Sequence, residues 1–439
     1  MLHRTLTTAL GTVAALAMAA PAFAVVDVEL NLTGASAQFK FFNESAPSWM
    51  QAPVASHGLG CASADGSAVD AGGHYGISIG YDCDALGGAG HDIIFRYTSK
   101  ASYDGILSLL GDDSQAGPSD LCTAGDLTAA QAALEPDPGY YRKMADENNT
   151  NFTTNVVNGT ICKDIHLGAS DVAGETFVQS SHGAKYGHLG GAQTDRTFNG
   201  IDASSLDHYN PLVVPFGAFV NADALPAVDN LTRLKIVLIY SGNIELWSDF
   251  GPGWPAKRVI VCLRHAGSGT HATIDAAVMR GDWSLVTNEV LPGPAALFHQ
   301  PVVYFNDSSS DMMRCVDQNG GQSTATHGAV GYADADTCVG QHVAGGKCEH
   351  VNEVAYQGEF GFHNEIVYCD YPWWSAQWLY EDPNEPVYAT THPIVLELVD
   401  FMSDGGNLAT FLPAKYAYWA ARAEMHCEKS NDFAYPKQP

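Results

Sequence analysis

Short apolar runs alternate with stretches of helical spacing along this chain, an order typical of layered α/β folds. Residues 26–32 alternate between apolar and polar positions as a strand does, and aromatic side chains then recur at helical intervals over 39–49. Residues 93–97 form a second apolar run, which a helical run over 103–110 follows. The pattern therefore predicts repeated strand–turn–helix units.

A third unit begins after a long polar stretch. Residues 112–160 are rich in Asn, Asp and Gly, and we interpret them as an insertion at the surface. The short apolar run 165–167 then leads into the small residues of 168–171, where the pattern predicts another helix start at Asp171.

The clearest unit follows the apolar strand 258–263. The turn from Arg264 to Thr270 contains Gly-Ser-Gly and leads into a helical run that reaches Met279. A helix start leaves backbone N–H groups unpaired and carries partial positive charge, which suits an anion. Arg264 adds a planar fork of donors, and Ser268 and Thr270 add hydroxyl groups. The alternative is a plain strand-to-helix turn in which Ser268 is the N-cap.

Three earlier strands also end in turns with hydroxyl side chains, at Thr33–Ser36, Thr98–Ser99 and Ser170–Asp171. Ligands of open α/β sheets bind at the carboxyl ends of the strands. The four turns therefore predict one shared anion site.

The first residues predict a secretion signal. Basic residues precede an apolar stretch over 6–20, and Ala22-Phe23-Ala24 fits a cleavage site that would leave Val25 as the first mature residue. The apolar stretch is too short to span a membrane. We therefore expect an exported, soluble protein with a signal peptide over 1–24, located in the periplasm or secreted.

Ten cysteines in a chain with an export signal predict disulfides. Proximity along the chain favours the pairs Cys61–Cys83, Cys122–Cys162 and Cys338–Cys348, and less strongly Cys369–Cys427. Cys262 lies inside an apolar strand, and we interpret it as a buried free thiol.

The net charge of −28 excludes whole classes of partner. Such a surface repels nucleic acids and anionic membranes. It would also repel an anionic ligand at long range, so binding has to depend on local donors inside a cleft. We therefore expect salt to change the affinity little.

Taken together, these segments resemble the periplasmic phosphate-binding proteins of ABC importers, two-lobed solute-binding proteins of class II. The resemblance covers nearly all of the mature chain, with insertions. It is carried by the segments 32–39, 97–100, 168–171, 213–218, 231–251, 328–332, 371–374 and 392–402.

The resemblance implies a two-lobed α/β fold whose hinge is a pair of crossover strands. Residues 25–217 and 335–439 would form lobe I, with the 112–160 insertion, and residues 218–334 would form lobe II. The ligand contacts carried over by position are Gln38 and Phe39 (through backbone N–H groups), Ser99, Asp171, Arg264, Ser268, Gly269 and Thr270. Three residues depart from the family pattern: Gln38, Lys100 and Ala266.

Asp171 is the informative member of that set. A carboxylate repels an anion unless a proton lies between them, and phosphate near neutral pH carries such a proton whereas sulfate does not. One acceptor among many donors would therefore select phosphate. The alternative role for Asp171 is the N-cap of its own helix.

The function implied is the capture of inorganic phosphate and its delivery to an ABC permease in the inner membrane. We expect no catalysis, no cofactor, no metal and no nucleic acid, and a monomer. The alternatives are a binding protein for another tetrahedral oxyanion, a secreted phosphoester hydrolase, and a surface protein that has kept the fold.

One motif would favour the hydrolase. Gly76-Ile77-Ser78-Ile79-Gly80 fits the G-x-S-x-G pattern of serine hydrolases. That motif requires a helix directly after the serine, but an extended pattern continues here. We therefore interpret Ser78 as a strand residue.

Overall fold

The computed structural model of the protein describes residues 28–85, 90–117, 119–177, 180–181, 196–198, 200–265, 267–280, 302–306 and 308–437. The predicted signal segment 1–24 and Ala266 lie outside these residues. No helix in the described ranges is both long and apolar enough to cross a bilayer.

Twenty strands lie in the described part of the chain: β1 (Val28–Gly34), β2 (Ser63–Ala64), β3 (Ala68–Val69), β4 (Tyr75–Cys83), β5 (His91–Ser99), β6 (Tyr141–Ala145), β7 (Thr150–Asn151), β8 (Val156–Val157), β9 (Thr160–Asp164), β10 (Leu167–Ser170), β11 (Ser180–Ser181), β12 (Arg196–Thr197), β13 (Asp207–Asn221), β14 (Asn230–Leu231), β15 (Arg258–Arg264), β16 (Val302–Asn306), β17 (His327–Asp334), β18 (Val351–Tyr356), β19 (Trp374–Glu381) and β20 (Ala420–Ala421).

Ten α-helices lie in the same ranges: α1 (Ser36–Gln51), α2 (Ser102–Leu107), α3 (Ala129–Leu134), α4 (Arg233–Tyr240), α5 (Gly269–Thr273), α6 (Ser309–Asp317), α7 (His363–Val367), α8 (Tyr388–Ser403), α9 (Gly405–Phe411) and α10 (Pro413–Tyr416). Helix α5 continues as a π-helix over Ile274–Met279.

The fold is mixed α/β around one large twisted sheet. Its main path runs in the order β16-β15-β17-β13-β19-β10-β1-β5-β4-β3-β8-β7. Strand β1 is parallel to both β5 and β10, and β15 is parallel to both β16 and β17. Parallel neighbours end at the same edge of a sheet, so the turns after these strands lie close together.

Strand β13 connects the two halves of the sheet. It is 15 residues long, and its first part pairs with β19 while its last part pairs with β17 and β18. The predicted crossovers at 213–218 and 328–332 fall in β13 and β17, which pair antiparallel from Phe216 with Asp334 onward. Strand β18 pairs with the last part of β13.

Three of the four predicted strand–turn–helix units are present. The strands near 26–32, 93–97 and 258–263 are β1, β5 and β15, and each is followed by a helix. Helix α1 packs its aromatic face on the sheet, where the Trp49 ring lies 5.9 Å from Phe95.

The prediction that a helix starts at Asp171 is wrong. Strand β10 ends at Ser170, and a single 3-10 turn over Gly174–Thr176 follows. The Asp171 side chain faces other elements and does not cap a turn of its own. Asp432, from the C-terminal segment, accepts hydrogen bonds from the Ala173 N–H and the Thr176 hydroxyl.

The predicted 112–160 insertion carries β6, β7, β8 and α3 and is fixed to the body by a buried ion pair. The guanidinium of Arg142, which is 0% exposed, donates to both carboxylate oxygens of Asp104 on α2, over 3.1 and 2.8 Å. Its remaining donors reach three backbone carbonyls. A pair satisfied in this way fixes the position of α2.

All ten cysteines form disulfides. The four predicted pairs Cys61–Cys83, Cys122–Cys162, Cys338–Cys348 and Cys369–Cys427 are confirmed. The prediction of a free thiol at Cys262 is wrong, because Cys262 is bonded to Cys315 on α6. An apolar strand can hold half of a disulfide when a helix packed on the sheet supplies the other half.

The Cys262–Cys315 bond closes a segment with a sequence separation of 53. Replacing both residues with alanine should lower the free energy of unfolding by about 3–4 kcal/mol, measured in denaturant, since a long closed loop restricts the unfolded chain strongly. The matched control is the same double replacement at Cys338 and Cys348, where the separation is only 10. The control should lose about 1.5 kcal/mol less. A larger loss in the control would contradict this account.

Candidate anion-binding site

Arg264, the last residue of β15, lies at the centre of the site and is fully buried. Its Nη1 donates to the Ser36 hydroxyl over 3.0 Å and to the Ser309 hydroxyl over 2.6 Å. The two hydroxyl oxygens lie 3.2 Å apart. Ser36 begins α1 and Ser309 begins α6, so one guanidinium connects the two halves of the sheet.

A hydrogen-bonded chain holds the end of β15 in place. The Arg264 N–H donates to the Tyr332 hydroxyl over 3.1 Å, and that hydroxyl lies 2.5 Å from His271 Nδ1. Burial and the nearby Arg264 charge lower the pKa of His271 to about 3. The imidazole is therefore neutral, and it shares one hydrogen bond with the Tyr332 hydroxyl through Nδ1. Arg264 remains the positive charge at this position.

Asp171 is the acid of the site. Its side chain is 1% exposed, and its Oδ2 accepts hydrogen bonds of 3.4 Å from Ser102 on α2 and from Thr270 on α5. Burial raises the pKa of Asp171 to about 6, although Arg264, the two hydroxyls and the Gln38 amide act in the opposite direction. The carboxyl group is therefore ionised at neutral pH in a place that disfavours its charge.

Gly269 allows the two halves to approach each other here. A Cβ atom at this position would lie 2.1 Å from Ser102 Oγ and 2.7 Å from Asp171 Oδ2. The backbone at the start of α5 therefore passes directly over the acid, and only glycine leaves room for it.

Several buried polar groups of the site have no hydrogen-bond partner among the residues that the structure describes. They are Ser268 Oγ, Asp171 Oδ1 and the Gln38 amide, which lies beside Asp171 and lowers its pKa but makes no hydrogen bond of normal geometry. Ser268 precedes α5 but makes no capping bond with its side chain, so the plain N-cap interpretation does not hold. Unpaired buried polar groups cost about 1–3 kcal/mol each, so a polar ligand that bonded to these groups would be stabilised here.

The structure brings four predicted residues around Asp171: Gln38, Arg264, Gly269 and Thr270. Gln38 differs from the expectation in one respect, because its backbone N–H already donates to Ala35 O over 3.2 Å. Its side-chain amide is thus the group that remains available.

Phe39 and Ser99 lie further out. Both line a cleft of about 220 Å³ that Ser36 and Ser309 also border, together with Lys100 and Lys347. Ser36 and Ser309 contact Arg264, so the cleft borders the two hydroxyls that hold the guanidinium.

Sequence reasoning missed three hydroxyls of the site: Ser36, Ser102 and Ser309. Ser36 belongs to a strand-end turn that the pattern identified. Ser309 follows β16 in a run of serines, which is the same signal at one more strand end. Ser102 could not be separated from Ser99 by pattern alone, because the turn between them decides which hydroxyl faces Asp171.

Ser78, the serine of the G-x-S-x-G motif, lies within β4 and is 1% exposed. No helix follows it before β5, in residues 79–85 and 90 that the structure describes. This arrangement lacks the strand-to-helix turn that a nucleophilic serine of that kind requires.

No family model matches the chain. Its fold is similar to those of solved phosphate-binding proteins. One is described as a phosphate ABC transporter substrate-binding protein with bound phosphate from Clostridium perfringens (11% identity, 89% of this chain and 99% of that chain covered, TM-score 0.45).

Two further solved structures have similar coverage. The high-affinity periplasmic phosphate-binding protein PfluDING, bound with phosphate, is 13% identical over 89% of each chain, with a TM-score of 0.44. A phosphate-binding protein from Stenotrophomonas maltophilia is 13% identical over 88% of this chain and 84% of that chain, with a TM-score of 0.39. These values are low, so the ligand of this chain has to be argued from its own residues.

The raised pKa of Asp171 gives a testable effect on stability. An acid whose pKa rises on folding favours the unfolded chain as the pH increases from about 4 to about 6, and the penalty then stays constant. Asp171→Asn should therefore stabilise the ligand-free protein at pH 7 by roughly 2–3 kcal/mol and have little effect near pH 4. Denaturant unfolding of both proteins across this range measures the difference. A variant less stable at pH 7 would show that the carboxylate is stabilising.

Proposed function

We propose that this protein binds inorganic phosphate, without catalysis, in the buried site between Arg264 and Asp171. The observation that carries the proposal is a single buried carboxylate among buried donors. Arg264 supplies the positive charge, and Asp171 supplies a carboxylate from the other half of the sheet.

The donors suit a tetrahedral oxyanion. A guanidinium can bond two oxygens of one ligand at once. The remaining oxygens can be reached by the hydroxyls and the amide that surround it: Ser36, Gln38, Ser102, Ser268, Thr270 and Ser309.

The acceptor selects among such anions. Phosphate retains at least one proton near neutral pH and can donate it to Asp171, whose Oδ1 has no partner among the described residues. Sulfate has no proton to donate and would place its charge against a buried carboxylate. An unpaired buried charge costs several kcal/mol, so sulfate should be rejected strongly.

The positions of these groups favour closure of the two lobes around the ligand. Gln38, Ser102 and Asp171 belong to the half that contains β1, β5 and β10, while Arg264 and Thr270 belong to the half that contains β15. A ligand held by both halves favours the closed arrangement over an open one. The lobe boundaries are those predicted from the sequence, 25–217 with 335–439 and 218–334.

The transport role extends this proposal. After removal of the signal segment 1–24, the monomeric protein would capture phosphate in the periplasm, and an ABC permease of the inner membrane would recognise the closed form. The net charge of −28 opposes anion capture at long range, so affinity depends on the short-range bonds of the site.

Titration calorimetry on an Arg264→Ala variant tests the proposal. The wild-type protein should bind phosphate, and the variant should lose about 2–5 kcal/mol of binding free energy because it removes one partner of a buried charge pair. Arg258→Ala is the matched control. Arg258 begins the same strand and is paired with Glu245 over 3.8 Å, away from the site.

The control should bind phosphate like the wild type. Equal affinity in Arg264→Ala and the wild type would place the ligand elsewhere. Release of p-nitrophenol from p-nitrophenyl phosphate by the pure wild-type protein would instead support the hydrolase.

A further inference from the structure

A second cavity, of about 210 Å³, lies between the insertion and the segment that follows β19. Its walls come from residues 134–135 and 140–141, from residues 164–165 and from residues 382 and 384–387, with Leu109 at one side. None of these residues belongs to the anion site. The cavity is therefore a separate candidate binding site.

The charge that lines this cavity is entirely negative. Four of its described lining residues are acids, and none is Lys, Arg or His. The acids are Glu135, Asp164, Asp382 and Glu385. Such a lining attracts cations and repels the phosphate that the other site is proposed to bind.

Glu385 is the acid that most requires a ligand. Its side chain is 10% exposed, and neither carboxylate oxygen accepts a hydrogen bond from any residue that the structure describes. His166 Nε2 lies 3.4 Å from Oε1 but makes no hydrogen bond of normal geometry with it. Burial raises the pKa of Glu385 to about 7. Asn384 and Tyr140 also line the cavity, but neither donates to Glu385, so this buried carboxylate can bind a donor from outside the chain.

The position of the proton on the His166 ring distinguishes a site for a metal ion from a site for an organic cation. Its Nδ1 accepts the Asn31 N–H over 3.3 Å, so the ring proton lies on Nε2. Nε2 lies 3.3 Å from Asp164 Oδ2 and 3.4 Å from Glu385 Oε1, a spacing that a metal cluster could also show. A histidine ligand needs an unprotonated nitrogen, and coordination through Nε2 would sacrifice the bond to Asn31.

The walls of the cavity favour an organic cation as well. Tyr140 and Tyr141 line it beside Leu109, Leu134 and Val387. Aromatic and aliphatic walls accept the carbon skeleton of an ammonium compound, and aromatic rings attract its charge. At about 30 Å³ for each water-sized group, the volume holds roughly seven non-hydrogen atoms.

We propose that this cavity binds a small primary ammonium compound, such as a short aliphatic amine or diamine, whose N–H donors reach Glu385. The contact is an ion pair with hydrogen bonds in a partly dry site. It is independent of phosphate binding, because the two sites share no residues.

The test is calorimetric titration of the full protein with 1,4-diaminobutane and with n-butylamine, both protonated at pH 8, and with uncharged 1-butanol. We expect saturable binding of an amine and none of the alcohol. Glu385→Gln should weaken amine binding by at least about tenfold, the effect of losing about 1.4 kcal/mol. Glu359→Gln, at an exposed acid outside the cavity, is the control and should bind like the wild type.

Two further measurements distinguish amine binding at Glu385 from misfolding of the variant and from metal binding. Glu385→Gln should be at least as resistant to thermal unfolding as the wild type and should keep its phosphate affinity, so a loss of amine binding would not reflect misfolding. The proposal is overturned if no amine binds at millimolar concentration, if Glu385→Gln binds amines like the wild type, or if Zn²⁺ or Ca²⁺ alone binds at Glu385 and displaces the amine.

Discussion

Two opposite charges removed from water, on Arg264 and Asp171, constrain the rest of this site. Both side chains are at most 1% exposed. Charges in such surroundings cost several kcal/mol unless partners satisfy them. The raised pKa of Asp171 indicates that Arg264 and the hydroxyls offset the cost only in part. A ligand that offers oxygens to Arg264 and a proton to Asp171 would satisfy both groups, and this requirement describes a protonated tetrahedral anion.

The fold places the polar groups that surround Arg264 and Asp171. Parallel strands end at one edge and bring Ser36, Ser102 and Asp171 together, and β15 brings Arg264 to them from the other half of the sheet. Each group is also supported from behind. Tyr332 and His271 hold the end of β15, while the Arg142–Asp104 pair holds the helix that carries Ser102. The insertion therefore contributes to the geometry of the site although it does not touch the proposed ligand.

Sequence reasoning reached most of the fold and part of the site, and its errors have physical causes. Arg264 and its Gly-Ser-Gly turn were identifiable because strand, turn and helix periods change within a few residues. The helix expected at Asp171 was wrong, since its side chain bonds to distant elements and Asp432 satisfies the donors nearby. The free thiol at Cys262 was wrong because its partner is 53 positions away, a separation that no local pattern reveals. Ser102 was missed because the short turn after Ser99 determines which hydroxyl points inward.

The most direct test of the central claim compares phosphate and sulfate affinities of the wild-type protein from pH 8 to pH 5. Ionised Asp171 should reject sulfate at pH 8, and protonated Asp171 can donate to a sulfate oxygen below a pH of about 6. The account predicts that sulfate binds more tightly as the pH falls through this value, while phosphate is bound at every pH. The ratio of phosphate affinity to sulfate affinity should therefore decrease. Sulfate binding as tight as that of phosphate at pH 8, or a preference that does not change with pH, would contradict it.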